Sequence, residues 1–232
     1  MFNLAQAFEL ELIGLEKTRL RIRFTKCGDL RWISHRDLAR VWERLLRRAN
    51  LELAFSQGFH PKPRISFPSA LALGIESLEE VVELEVVGDV SLQRVEQDIC
   101  NEMPAGMRLL QLESPSYGLG KARVAGMTYR IAIAQELRAE LEAAILAAKH
   151  SDQLEVIRDD KKIACSTADP NFDVHLDSEF FHFSIPNVAQ GSIRPSELLD
   201  YFGLGQLLAD GVTLQRTEVH LHEPELVQET SG

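Results

Sequence analysis

His35 and Asp37 stand two apart in ISHRDLAR, and His60 lies in SQGFHPKPRISF beside Lys62 and Arg64. An imidazole oriented by a carboxylate could move a proton at neutral pH, because histidine titrates near there. Asp37 has a simpler use, since it follows Ser34 by three residues, the spacing of a helix cap. Cys27, Cys100 and Cys165 include no C-x2-C pair, so they outline no zinc ribbon. Their odd count and wide spacing suit a reducing cytoplasm. His220 and His222 share a strand face that His175 and His182 could approach, but exposed histidines on a last, edge strand explain them without a metal. No Gly-rich phosphate loop and no G-x-S-x-G motif occurs, so neither cofactor nor metal is expected.

The chemistry present in quantity is anion binding. Residues 19–64 hold ten arginines and two lysines against Asp29, Asp37, Glu43 and Glu52, while the whole chain carries a net charge of −10. Cations concentrated on an otherwise acidic body suggest a patch that faces a polyanion. The preference for arginine favours bidentate phosphate contacts and stacking on bases. Phe59 and Phe67 flank Lys62 and Arg64, giving rings beside cations, as readers of single-stranded RNA use. Pro61, Pro63 and Pro68 stiffen that loop and reduce the entropy lost on docking.

These groups must be held by elements that the periodicity outlines. TRLRIRFTK (18–26) alternates, predicting a half-buried strand with Arg19, Arg21 and Arg23 towards solvent. In SHRDLARVWERLLRRAN (34–50) the apolar positions recur at helical spacing, which leaves Arg36, Arg40, Arg44 and Arg47 on the opposite side. Strands are expected at 51–56, 79–88 and 107–115, with a helix at 91–104. SYGLGKARVAG (116–126) reads as a linker. The same order then recurs: strand 127–134, helix 135–151, hairpin 153–166, strand 179–187, helix 194–205 and strand 212–223. The fold class expected is α+β, as two tandem ferredoxin-like (split βαβ) halves over 18–115 and 127–223. Residues 1–17 form an N-terminal extension and 224–232 a tail. No apolar run reaches membrane-span length, and the acidic N-terminus is unlike a secretory signal, which suits the cytoplasm.

The stretch RIRFTKCGDLRWISHRDLARVWERLLRRANLELAFSQGFHPKPRISFPSALALGIES (21–77) resembles the opening of the uncharacterised radical-SAM-linked protein family. The motif is met at Lys26, Gly28, Leu30, Arg31, Ser34, His35, Asp37 and Leu38, and again from Ser56 through Phe67. RPSELL (194–199) and LQRTEV (214–219) are similar to its C-terminal portion. The family is a domain of unknown function, found beside or fused to radical S-adenosylmethionine enzymes. The resemblance implies a separate enzyme partner and a role around RNA modification or ribosome biology. The cysteine motif that holds such an enzyme's iron–sulfur cluster is absent here.

The expected function is therefore RNA binding, to tRNA or rRNA, as an accessory to a radical S-adenosylmethionine enzyme. Arg21, Arg23, Lys26, Arg31, Arg36, Arg40, Arg44 and Arg47 would hold phosphates. Phe59, His60, Lys62, Arg64 and Phe67 would meet bases or the partner. The helix arginines and the loop are expected to converge on one surface. A protein–protein adaptor that uses the same loop is the alternative. A weaker one is an RNA-processing enzyme built on His35, Asp37 and His60.

Overall fold

In TRLRIRF apolar side chains alternate with arginines, and the segment forms the strand β1 (Lys17–Lys26) in the computed structural model of the chain, which describes residues 17–115, 120–188 and 191–222. Leu20, Ile22 and Phe24 are fully buried on one face. A 3-10 turn (Gly28–Trp32) leads to α1 (His35–Arg48), where Ser34 accepts a hydrogen bond from the Asp37 amide at 3.1 Å. That cap satisfies one of the amides a helix start leaves without a partner. Leu38, Trp42, Leu45 and Leu46 pack with the apolar side of β1, and Trp42 meets Phe24 edge-on at 4.9 Å between ring centroids. Burial of this stripe, roughly 1.5–3 kcal/mol per large side chain, fixes which side of α1 faces the sheet.

The first run of elements continues with β2 (Ile65–Ser66), β3 (Glu76–Val87), α2 (Leu92–Glu102) and β4 (Leu109–Glu113). The second comprises β5 (Val124–Ala132), α3 (Arg138–Lys149), β6 (Gln153–Arg158), β7 (Lys161–Ser166) and β8 (Asp173–Leu176). It ends with β9 (Phe180–Pro186), α4 (Pro195–Tyr201), α5 (Gln206–Ala209) and β10 (Gln215–Leu221).

Among the described residues the molecule is mixed α+β, with one large mixed sheet in the order β4-β1-β3-β10-β5-β9-β8 and β2 beside β3. Neighbouring strands are antiparallel except β3 and β10, which run parallel through Gln215↔Glu76 and Arg216↔Ser77. Two main apolar cores lie under the sheet. One joins α1 and α2 to β1 and β3, the other joins α3 and α4 to β5 and β9.

Several segments depart from the sequence expectation. The strand expected at 51–56 is reduced to two isolated bridges, Leu53↔Val86 and Phe55↔Pro63. Pro61 and Pro63 offer no amide hydrogens, so a long ladder cannot form there. The 153–166 hairpin is present, turned by Asp159 and Asp160 in the left-handed region, but β6 and β7 form their own two-stranded sheet. β8 is four residues long, too short for periodicity to mark it. Part of the expected linker, from Val124, already belongs to β5. Residues 1–16 and 116–119 and the tail lie outside the described residues. Among those described, no helix is long and apolar enough to cross a membrane.

Candidate functional site

The arginines of β1 do not stand free. Arg19 and Arg21 both pair with Glu83, at 2.9 and 2.8 Å, and Arg21 also reaches Glu113 at 3.0 Å. Arg23 pairs with Glu79 and donates to the Val219 carbonyl at 3.1 Å. Glu83 lies directly across the ladder from Arg21, so antiparallel register sets this pairing. The face expected to be cationic and open is an arginine–glutamate ladder in which Arg21 is only 12% exposed. Arg31 likewise engages Glu76, at 3.5 Å, while its guanidinium lies over the Trp32 ring.

Lys26, expected to touch phosphate, is buried, and its ammonium donates to the Ile33 carbonyl at 3.2 Å. Burial holds that ammonium below the ordinary lysine range, against the opposing pull of Glu80. Glu80 in turn pairs with Arg216 at 2.9 Å, both of them buried. Arg216 also donates to Ser69 Oγ, the Ala70 carbonyl and the Tyr129 hydroxyl. This buried network ties β10 and β5 to β3 and to the chain after Phe67.

On α1 the expected cationic side is present. Arg36, Arg40, Arg44 and Arg47 are all exposed. Arg40 pairs with Asp37 at 3.1 Å. Arg36, Arg44 and Arg47 make no ion pair among the described residues, although Glu43 shares their side of the helix. In a chain whose carboxylates engage so many of its other arginines, these three remain open to an outside anion.

The proline-stiffened loop is a narrow finger. The Ser56 amide donates to the Lys62 carbonyl at 2.9 Å, the Lys62 amide returns to Ser56 Oγ, and Phe55 bridges Pro63. Phe59 is wholly exposed at its end, and His60 and Lys62 are exposed beside it. Arg64 pairs with Glu85 at 3.3 Å. Phe67, expected to flank the cations, instead packs against the first core and meets His35 edge-on at 5.2 Å.

The arginine row of the helix and Arg64 of the loop do not converge. The arginine row points away from the sheet, because the opposite side of α1 packs on it. Arg64 reaches Glu85, which lies opposite Arg19 and so belongs to the face that β1 turns away from α1. The thickness of the sheet separates the two basic groups, which corrects the single surface expected from the sequence.

Asp37, of the possible proton-transfer set, serves the start of α1. Asp37 accepts from Ser34 Oγ at 2.7 Å and from Arg40, and these contacts, the Ser34 bond first, hold its carboxyl below the usual carboxylate range. Neither His35 nor Asp37 has a hydrogen bond to His60 among the described residues. The histidines of the second run go their own ways. His175 and His182 stack at 4.8 Å, each bonded to its own aspartate, Asp173 or Asp177, while His220 bonds Thr128 at 2.7 Å.

Comparison with known proteins adds the family. Residues 19–174 match the model of a family described as an uncharacterised protein conserved in bacteria (DUF2344). The chain belongs to that family. No curated protein matches this family member. Among solved structures it is similar to the crystal structure of an unknown protein from Galdieria sulphuraria, with 9% identity over 90% of this chain and 100% of that one. The TM-score is 0.28.

Two features of this DUF2344 chain escaped the reading of its sequence. Lys121, placed in a linker, lies in a groove with Lys62 and Arg64. Trp32 is 62% exposed and close to Gly74, so it covers the chain there rather than entering a core. A tryptophan outside any apolar period was the available signal for the second; nothing local marked the first.

Proposed function

We propose that the protein binds RNA, tRNA or rRNA, as an accessory to a separate radical S-adenosylmethionine enzyme in RNA modification or ribosome-related metabolism in the cytoplasm. The observation that carries the RNA part is the α1 row, with Arg36, Arg44 and Arg47 exposed and without ion pairs among the described residues. Guanidiniums one turn apart along a helix suit successive phosphates, and the net charge of −10 over the whole chain limits indiscriminate adhesion. The enzyme partner rests on the family resemblance alone. Two tandem ferredoxin-like halves are part of the proposal. The orders β4-β1-β3-β2 and β10-β5-β9-β8, antiparallel within each, support them.

A second reading, the protein–protein adaptor, is favoured by Phe59. A wholly exposed phenylalanine at the end of a stiffened finger suits an anchor for an apolar pocket on a partner. Because Arg64, at the base of the finger, and the α1 row lie on opposite faces of the sheet, one molecule could engage enzyme and RNA together. Ultraviolet crosslinking in cells, followed by sequencing of the bound RNA, tests the main proposal. Enrichment of a defined RNA class that is lost in Arg40→Ala/Arg47→Ala supports it. Recovery no greater than that of an unrelated acidic protein overturns it.

A further inference from the structure

Where the base of the finger meets β3, on the side of the sheet turned away from α1, a groove of about 410 Å³ is present. That volume lies within the range of small-ligand sites. Four cations line it: Arg19, Lys62, Arg64 and Lys121. Its acidic residues are already committed. Glu83, buried in the groove wall, is shared by two arginines and accepts the Ala122 amide at 3.0 Å, and Glu85 pairs with Arg64. Lys62 and Lys121 are exposed and make no ion pair among the described residues.

The placement of Lys121 is built in. Arg19 donates to the Gly120 carbonyl at 2.9 Å while Glu83 holds Ala122, so the residues on both sides of Lys121 are fastened to the sheet. Lys62 is set by the reciprocal bonds between its backbone and Ser56. Two ammonium groups brought into one groove repel each other, and a bound dianion would reverse that cost. Next to the cations lie the Pro63 ring, apolar surface suited to a flat base, and the Ser66 hydroxyl.

We propose that this groove is a phosphate site of nucleotide size, with Lys62 and Lys121 holding the phosphate and Pro63 facing the base or sugar. It is independent of the α1 row, and its ligand is either a free nucleotide or the phosphorylated end of an RNA strand.

Calorimetric titration with AMP, adenosine and inorganic phosphate tests it. AMP binds with a Kd at or below about 1 mM, and adenosine binds at least about tenfold more weakly. Lys62→Gln/Lys121→Gln weakens AMP binding about tenfold while leaving the melting temperature unchanged. Arg40→Ala/Arg47→Ala leaves it untouched, which separates this site from the RNA proposal. Competition by a 5′-phosphorylated but not a 5′-hydroxyl oligoribonucleotide assigns the ligand to a strand end. Absence of competition assigns it to a free nucleotide, and either result supports the site. AMP binding that is missing, matched by adenosine, or unaffected by the double lysine change overturns it.

Discussion

Replacing Arg216 by methionine probes the element that joins the two runs of the chain. The guanidinium is 2% exposed, and its partner Glu80 is 1% exposed. Arg216→Met keeps most of the volume but removes the ion pair and the bonds to Ser69, Ala70 and Tyr129. Glu80 would then stay buried, with Lys26 as the remaining nearby cation, and Lys26 already donates to Ile33. Removing one member of a buried pair costs about 3–5 kcal/mol, and the presence of Lys26 argues for the lower end, about 3 kcal/mol. At about 2–4 °C per kcal/mol for a chain of this length, the melting temperature falls by about 6–12 °C. Urea and thermal denaturation of the wild type, Arg216→Met, Glu80→Leu and the double variant close a double-mutant cycle. The double variant recovers most of the loss, because apolar replacement of a whole buried pair is often neutral. Arg216 Nε is buried without a partner, a further reason why the intact pair is not an optimum. A loss in Arg216→Met below about 1 kcal/mol, or purely additive single losses, would refute the reasoning.

Three further outcomes are expected. Arg158 pairs with Glu197 at 2.5 Å and fastens β6 to the start of α4, and its hydrogen bonds hold the Glu197 carboxyl below the usual range. A depressed carboxylate adds stability above its unfolded pKa of about 4.3 and loses it as pH falls through the lower folded value. Urea melts from pH 6 to pH 3 should therefore show a shallower acid loss in Arg158→Met than in the wild type; equal slopes would deny the pair this role. Gly106 has φ +88°, and a Cβ there would sit 2.5 Å from the Cys27 carbonyl oxygen, so Gly106→Ala should destabilise by more than about 1 kcal/mol in chemical denaturation. Phe59→Ala should leave stability within about 0.5 kcal/mol, while capture of a protein partner on a column is lost; retained capture argues against the finger as an anchor.

What could be read in advance was governed by local periodicity. The apolar stripe of 34–50 placed α1 and its four arginines correctly because a helix face is decided by neighbours three and four residues away. The alternation in 18–26 likewise located β1 and its buried face. The fate of Arg19, Arg21 and Arg23 was not legible, since it depends on register with carboxylates some sixty residues further on. EEVVELEVV itself carried a signal: glutamates that alternate with apolar residues could face arginines that do the same. Lys26 breaks the rule that strand cations face water, because alternation puts it on the same inward face as Leu20, Ile22 and Phe24, where its ammonium finds the Ile33 carbonyl. The groove holding Lys121 is assembled from four separate stretches of chain, so no window of sequence contains it.

The central claim is that the α1 guanidiniums without an ion pair among the described residues are an RNA-backbone contact. The most direct test is the slope of log Kd against log salt for RNA, measured by fluorescence anisotropy. Each phosphate contact contributes about 0.7–0.9 to that slope, so Arg36→Gln/Arg44→Gln/Arg47→Gln should lower it by about 2. Arg21→Gln, altering an arginine already held by Glu83 and Glu113, should leave it unchanged. Equal slopes in the triple variant and the wild type, or wild-type binding that ignores salt, would contradict the claim.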